Sequence, residues 1–454
     1  MIRRLQRWVI LSGAALAAAC GGESPRPNVV MVVGDTLRAD KLSCMGGPEG
    51  LTPYLDRIAA EGVRFDQARS HAPWTLPSTA SMLTSLHPEE HGAGGRLGRF
   101  TTLDAEVETV VKSFRDQGYR THAIVNVLFL DPGLFGVTRD FETVDQQVFE
   151  TNVDVRAADA TTRAALEWIE ANRDDGPFFL LVHYFDPHCV YAPPPAFRER
   201  WAAPADQEGD WTFGTRPQMV AIREGELSPA AATIERAEAL YNGEVSYLDA
   251  QIGRLDDGLA SMGQRDELVL VVTADHGEEF LDHGGFEHGH TLYDELVRVP
   301  LLIRAPAALR PAVVDGPVRH IDLAPTLCEL CDLPVPGQFV GRSLVSLATG
   351  VPEVEQRPTL AHGNMWARPQ TSWTSAGWKL IVREGAPAQL YEVASDPGEL
   401  RDLAASRPEE LARLQAELEA VELGMTALRR GEAAALDPRT REVLSGLGYG
   451  GEDE

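Results

Sequence analysis

Three short apolar runs in this chain end in the same way. NVVMVVG, residues 28–34, stops at Asp35. PFFLLVHYF, residues 177–185, gives way to Asp186, Pro187 and His188. DELVLVVTAD, residues 266–275, closes on Asp275 and is followed by His276. A run this short with no polar face reads as a strand buried on both sides. Helical patterns alternate with these runs: TPYLDRIAAEG, a long stretch at about 151–172, and another at about 230–262. GYRTHAIVN reads as a helix end and a strand, and VRVPLLIRAP as a further strand. Helix and apolar strand in alternation predict an α/β fold with a mainly parallel sheet. Sites in such sheets gather beyond the carboxyl ends of the strands. Asp35, the His183–His188 stretch and Asp275–His276 are therefore expected to converge on one edge.

The chain has 454 residues and a formal charge of −27, from 41 basic and 68 acidic side chains. That surface repels nucleic acid, so no nucleic-acid partner is expected. An anionic substrate needs a local positive site, which a bound metal supplies. The opening MIRRLQRWVILSGAALAAACGG has a basic start, an apolar stretch too short to span a bilayer, and three alanines before Cys20. It reads as an export signal. It resembles a bacterial lipoprotein signal: residues 1–19 cleaved, Cys20 lipidated, and 20–27 a tether to the membrane. An ordinary secretory peptide containing Cys20 is the alternative. Gly21 gives no inner-membrane retention aspartate, so the resemblance implies the outer membrane, facing periplasm or exterior. Cys44, Cys189, Cys328 and Cys331 remain; Cys328 and Cys331 share an apparent helix and read as buried thiols.

Residues 201–229, rich in Ala, Pro, Gly and charge, read as an insertion, either a lid or a surface excursion. After about 355 the texture changes. TSWTSAGWKLIVREG and AQLYEV look like antiparallel strands, and DPGELRDLAASRPEELARLQAELEAVELG like one amphipathic helix. This predicts a core domain over 28–354 and a smaller α+β subdomain over 355–454.

Taken singly, Asp35 in GDTLRAD and Asp275 in TADHGEEF are as easily N-caps as ligands. Together, oxygen and nitrogen donors at strand ends point to one divalent cation. Thr75, in PWTLPSTASML, would complete the set as ligand and nucleophile, because metal contact lowers a hydroxyl pKa. It could equally cap the helix that begins near Pro77.

VVMVVGDTLRADKLSCMGG, PWTLPSTASMLTSLHPEEHG, FFLLVHYFDPH, YNGEVSYLDAQIGRL, ADHGEEFLDHGGFEHGHTLYDELVRVPLLIRAP and DLAPTLCEL, in this order, resemble the sulfatase family of the alkaline-phosphatase-like superfamily. The resemblance runs from about Asn28 to the WKLI and LYEVASDPGE elements. It implies a doubly wound sheet with a metal at its carboxyl edge, held by Asp35, Asp275, His276 and Thr75. Calcium is the family's ion; oxygen ligands also admit magnesium, and His276 admits manganese or zinc. Thr36 stands where a second ligand aspartate usually is. Thr75, Pro77 and Ser78 match the nucleophile motif, and Thr79 replaces its arginine. Family nucleophiles are Cys or Ser oxidised to formylglycine, whose hydrate collapses to expel sulfate. A threonine cannot form that aldehyde, so Thr75 favours a phosphoester or phosphoryl transfer, in which water or an acceptor attacks a phospho-threonine.

The resemblance also places His188 near the transferred group and, in place of a leaving-group lysine, His288 or His290; His288 is favoured as a catalytic residue. Asn126, His290 and Thr79 are candidate substrate contacts, with Asn126 as readily a buried strand-end amide. Arg38 is expected to hold the metal-site carboxylates, and Glu278 and Glu279 to be solvated. The reading is an exported, metal-dependent hydrolase of sulfate or phosphate esters of a small molecule, glycan or lipid. Alternatives are a true sulfuric ester hydrolase without formylglycine, and an inactive lipid-tethered binding module on the same fold.

Overall fold

The structure is a computed structural model that describes residues 26–449, apart from 97, 148–155, 202–215, 224, 352–355, 364, 367, 426–430 and 447–448. The export signal and Cys20 lie outside the described residues. So do residues 151–155 of the stretch expected to be helical at about 151–172, and part of the 201–229 insertion. No helix among the described residues is long and apolar enough to cross a membrane.

Eight strands form the central sheet: β1 Val29–Gly34, β2 Val63–Arg69, β3 Arg120–Val125, β4 Thr143–Gln146, β5 Phe178–Tyr184, β6 Val269–Ala274, β7 Leu301–Arg304 and β8 Ala312–Arg319. Their order is β8-β2-β7-β6-β1-β5-β3-β4. β7 runs antiparallel to both its neighbours and the other pairings are parallel. Every residue of β1, β5 and β6 is buried. That is why these strands read as continuous apolar runs rather than as alternating ones.

Helices cover the sheet, among them α1 Pro53–Glu61, α2 Thr75–Thr84, α3 Ala158–Asn172, α4 Ala231–Ser261 and α5 Leu323–Leu330. Gly253 lets α4 approach α1, since a Cβ there would sit 2.3 Å from the Tyr54 ring. The described helix of the insertion, residues 216–223, buries Met219 with its sulfur 3.6 Å from Cys189 Sγ. Cys189, Cys328 and Cys331 are free buried thiols.

The C-terminal subdomain is an antiparallel sheet of β9 Thr359–His362, β10 Gln370–Ser375, β11 Trp378–Arg383 and β12 Gln389–Glu392, with α6 Pro408–Gly424 against it. Leu360, Trp373, Leu380, Leu390, Leu414 and Leu418 form its own core. The expected helix is shorter than its pattern. Residues 396–407 are not helical, because Pro408 takes a first-turn position and Glu399 adopts φ 50°. The Glu399 carboxylate is buried on Lys379 (2.9 Å), and Lys379 also holds Asp294 (2.9 Å). Asp294 in turn pairs with Arg69 of β2 (2.6 Å), so a buried ionic chain ties the small sheet to the large one. The tail then leaves the subdomain. Residue 433 bridges to Thr101, and Leu436, Leu444 and Tyr449 enter the main core.

Candidate active site

Register brings three polar strand ends together. Gly34, the last residue of β1, lies opposite Tyr184 of β5 and Ala274 of β6. Asp35 and Asp275 therefore leave adjacent strands side by side, and His183 lies one residue inside the end of β5. The Asp35 N–H donates to the Tyr184 carbonyl at 2.9 Å. Asp35, His183 and Asp275 each offer a donor atom within 4.8 Å of the others, and all three are buried.

His276 faces the same point. Its Nδ1 lies 2.9 Å from the Gly277 carbonyl, which can only accept, so Nδ1 carries the proton. The Nε2 lone pair is left 3.5 Å from Asp35 Oδ1 and 3.5 Å from Asp275 Oδ2. Thr75 Oγ1 is 3.4 Å from that same Nε2. Thr75 is the first residue of α2, with Trp74 at the N-cap position and no side-chain cap. Its hydroxyl points into the cluster and does not cap the helix. Ser78 Oγ donates to the Asp275 carbonyl at 2.5 Å, fastening α2 to the end of β6. Thr79, one turn beyond Thr75, is buried with its hydroxyl unpartnered.

Both oxygens of Asp35, Oδ2 of Asp275 and both nitrogens of His183 have no hydrogen-bond partner, although all are buried. Two unpaired carboxylates in a dry site cost several kcal/mol. A divalent cation removes that cost, so these residues fit a metal ion. Burial raises the Asp35 pKa, but the neighbouring imidazoles of His188, His183 and His276 outweigh it and hold the carboxyl below its usual range. Burial and the Asp35 charge push Asp275 up to about 6.

Two more histidines continue the site. The His288 ring lies 4.5 Å from that of His276 and 4.9 Å from that of His188. His288 Nδ1 meets Glu278 Oε1 at 2.9 Å, while its Nε2 is unpartnered. Burial pushes Glu278 up to about 7 and His288 well below its ordinary value, so burial disfavours the charged form of both partners. His188 Nδ1 meets the Cys189 carbonyl at 2.5 Å, and its Nε2 meets the Tyr449 hydroxyl at 3.2 Å.

The other expected contacts have partners of their own. Asn126 is a buried strand-end amide that donates to Thr161 Oγ1 (3.1 Å) and to the His183 carbonyl, bracing the end of β5. His290 Nε2 is 2.7 Å from Glu279 Oε2. Arg38 does not hold the strand-end carboxylates. It binds Asp40, Asp282 and the Glu278 carbonyl, because the loop after β6 folds back over its guanidinium. Glu278 and Glu279 are fully buried rather than solvated, each paired with a histidine of that loop. His183 was not among the expected ligands. A histidine in an otherwise apolar buried strand was its signal.

The chain matches the sulfatase family over residues 27–333, and the family described as N-sulphoglucosamine sulphohydrolase, C-terminal, over residues 281–424. An uncharacterized sulfatase, YidJ, of Escherichia coli is 26% identical, over 83% of this chain and 83% of its own length. An N-acetylglucosamine-6-O-sulfatase of Bacteroides thetaiotaomicron is 25% identical, with 74% of each chain covered. Among solved structures, the phosphonate monoester hydrolase of Silicibacter pomeroyi superposes with a TM-score of 0.71 at 23% identity, over 88% of this chain and 96% of that one. An enzyme solved with its substrate D-glucosamine-2-N,6-O-disulfate superposes with a TM-score of 0.73 at 23% identity, over 88% and 98%. With the sheet, the strand-end cluster and the family match in agreement, the chain belongs to the sulfatase family of ester hydrolases.

Proposed function

We propose that this protein is an exported, lipid-anchored hydrolase that cleaves phosphoesters with Thr75 as its nucleophile. The observation that carries the reading is the Thr75 hydroxyl, 3.4 Å from His276 Nε2 at the rim of an unpaired Asp35–Asp275–His183 cluster. Asp35, Asp275, His183, His276 and the Thr75 oxygen would hold a divalent ion, which supplies charge neutralisation when bound. Two imidazoles in that set favour manganese or zinc over the calcium implied by resemblance.

Thr75 Oγ attacks phosphorus, its proton passes to His288 or His188, and the bond from phosphorus to the ester oxygen breaks. The leaving alcohol takes a proton from His288 or His188, both within the ring cluster beside His276. Water then attacks the phosphorylated threonine and a water proton returns to Oγ, which restores the hydroxyl and releases phosphate, or a phosphate monoester where the substrate is a diester. Thr75 opens α2, and a helix N-terminus favours a bound anion there. Thr79 and His290 are candidate substrate contacts, with Asn126 acting behind them on β5.

The family match and the sulfated-sugar relatives favour a second reading, a sulfate ester of a small molecule or glycan. That chemistry runs without formylglycine here, because threonine oxidation gives a ketone rather than the aldehyde. The basic, apolar and Ala-Ala-Ala-Cys order of residues 1–20 supports lipidation at Cys20 and an outer-membrane location.

The test is turnover of an aryl sulfate, an aryl phosphate monoester and an aryl phosphodiester by metal-loaded protein, each beside Thr75→Ala. Phosphodiester turnover abolished by the substitution supports the proposal. Thr75-dependent turnover of the sulfate alone overturns the phosphoester reading. Failure of all three esters with metal bound favours a binding module.

A further inference from the structure

The described C-terminal residues reach the site. After α6, residues 431–446 return to the large domain, and Tyr449 lies there too. Thr102 N–H donates to the Glu432 carbonyl (2.9 Å) and Ala434 N–H to the Phe100 carbonyl (2.9 Å). The helix 438–446 follows, and the Tyr449 N–H closes on the Leu444 carbonyl at 2.7 Å. This delivers the Tyr449 ring into the main core, 3% exposed, edge-on to Phe129 (4.8 Å) and stacked on Trp366 (5.8 Å). Its hydroxyl ends 3.2 Å from His188 Nε2.

Hydrogen-bond chemistry fixes the direction of that contact. The Cys189 carbonyl accepts only, so His188 Nδ1 carries a proton. When Nε2 carries no proton it is an acceptor, and the Tyr449 O–H donates to it. The ring also packs against Phe185 at 4.4 Å and His288 at 4.9 Å. Both nitrogens are thus engaged, one by the backbone of its own loop and one by the turn that closes at Tyr449. A proton that His188 gives or takes must do so at the nitrogen that Tyr449 holds.

We infer that Tyr449 is a positioning residue for His188, which makes the C-terminal tail an integral part of the active site. The inference rests on the reading that His188 serves proton movement in ester cleavage. The tail fixes the tautomer and aim of the imidazole, and the phenol does so without a formal charge that would compete with an anionic substrate.

The test is Tyr449→Phe in the full chain, which keeps the ring packing and removes one oxygen. Nitrogen-15 spectra of histidine-labelled protein, with the His188 signals assigned through His188→Gln, report the contact without any turnover. The His188 Nε2 resonance is expected to move in Tyr449→Phe, with the other histidines unchanged. With a substrate from the ester panel, kcat is expected to fall about tenfold or more and KM to change less than about threefold. The same substitution made on top of His188→Gln is expected to cost little more, because Tyr449 acts through that ring. An unmoved His188 resonance overturns the inference. An equal loss of kcat with and without His188 also overturns it. If the unsubstituted protein cleaves no ester, the functional reading fails, and the resonance alone decides the Tyr449–His188 contact.

Discussion

The Thr75 hydroxyl and His276 Nε2 lie 3.4 Å apart, joining the start of α2 to the loop after β6. Because Trp74 occupies the N-cap position, losing this hydroxyl removes no cap from the helix. Thr75→Val keeps the shape and deletes the oxygen. We expect its stability to change by less than about 1 kcal/mol, since one long hydrogen bond is lost. Turnover should fall by about three orders of magnitude or more, as for deletion of a nucleophile. Thr75→Ser should retain measurable activity. Denaturant melts and kcat/KM for the three variants check this, and a Thr75→Val protein as active as wild type would exclude Thr75 as nucleophile.

His183 separates a ligand from a strand residue that happens to be near. Both its nitrogens are buried and unpartnered, beside Asp35 Oδ2 at 3.5 Å. His183→Ala is expected to weaken binding of the stabilising divalent ion by at least about tenfold, which is about 1.4 kcal/mol. In the unsubstituted protein, free metal at a hundred times its dissociation constant should add about 2.7 kcal/mol of stability, lost on chelation. Titration calorimetry and melts with and without chelator measure both effects. Equal metal affinity in His183→Ala would remove it from the ligand set.

Much of this site was legible because buried parallel strands leave a plain pattern. Asp35 and Asp275 each end an uninterrupted apolar run, and strand ends in such sheets face the site. His183 was harder, since a single imidazole inside FFLLVHYF reads as one more buried side chain. Glu278 and Glu279 looked solvated because consecutive glutamates in a polar loop usually are. Their partners His288 and His290 lie ten and eleven residues away, across a turn whose path the sequence does not encode locally. Tyr449 carried no local signal at all. Its place beside His188 follows from a tail that folds back across 261 residues of sequence. DPGELRDLAASR has helical composition, yet tertiary demand for a buried Glu399 carboxylate on Lys379 prevails.

The Glu279–His290 pair makes stability depend on pH in two windows. Burial raises Glu279, but His290 outweighs it and holds the carboxyl down to about 2; Glu279 likewise outweighs burial and raises His290. The depressed carboxyl contributes stability that is present above pH 4.5 and lost as pH falls toward 2. The raised imidazole contributes below pH 6.5 and is lost as pH climbs through its higher folded value. Between these limits the pair is worth about 2–3 kcal/mol. Glu279→Gln should lower stability by about that amount near pH 5 and by less at pH 2.5. Gly285→Ala should do similar damage, because a Cβ there would sit 2.1 Å from His290 Nε2. Urea titrations of the wild type and both variants across pH test this. A Glu279→Gln deficit constant from pH 2.5 to 6 would contradict it.

Thr36 is held at φ 57°, a left-handed conformation that a β-branched residue adopts only under constraint. Its N–H donates to Asp275 Oδ1 (3.3 Å) and its carbonyl accepts from the Tyr241 hydroxyl (2.7 Å), so the backbone is fixed from two sides. The Thr36 Oγ1 is buried and unpartnered. The side chain therefore brings strain and an unmade hydrogen bond to the rim of the cluster. Asparagine tolerates this conformation and adds no charge, so Thr36→Asn is expected to stabilise the fold by about 1 kcal/mol. Aspartate relieves the same strain but adds another carboxylate beside Asp35 and Asp275. Thr36→Asp should be less stable than Thr36→Asn without metal and should bind the divalent ion more tightly than wild type. Melts of both variants with and without chelator, and metal titrations of each, separate strain from charge. If Thr36→Asp matches Thr36→Asn in chelator, residue 36 lies outside the field of the cluster, and restoring a carboxylate there would not strengthen metal binding.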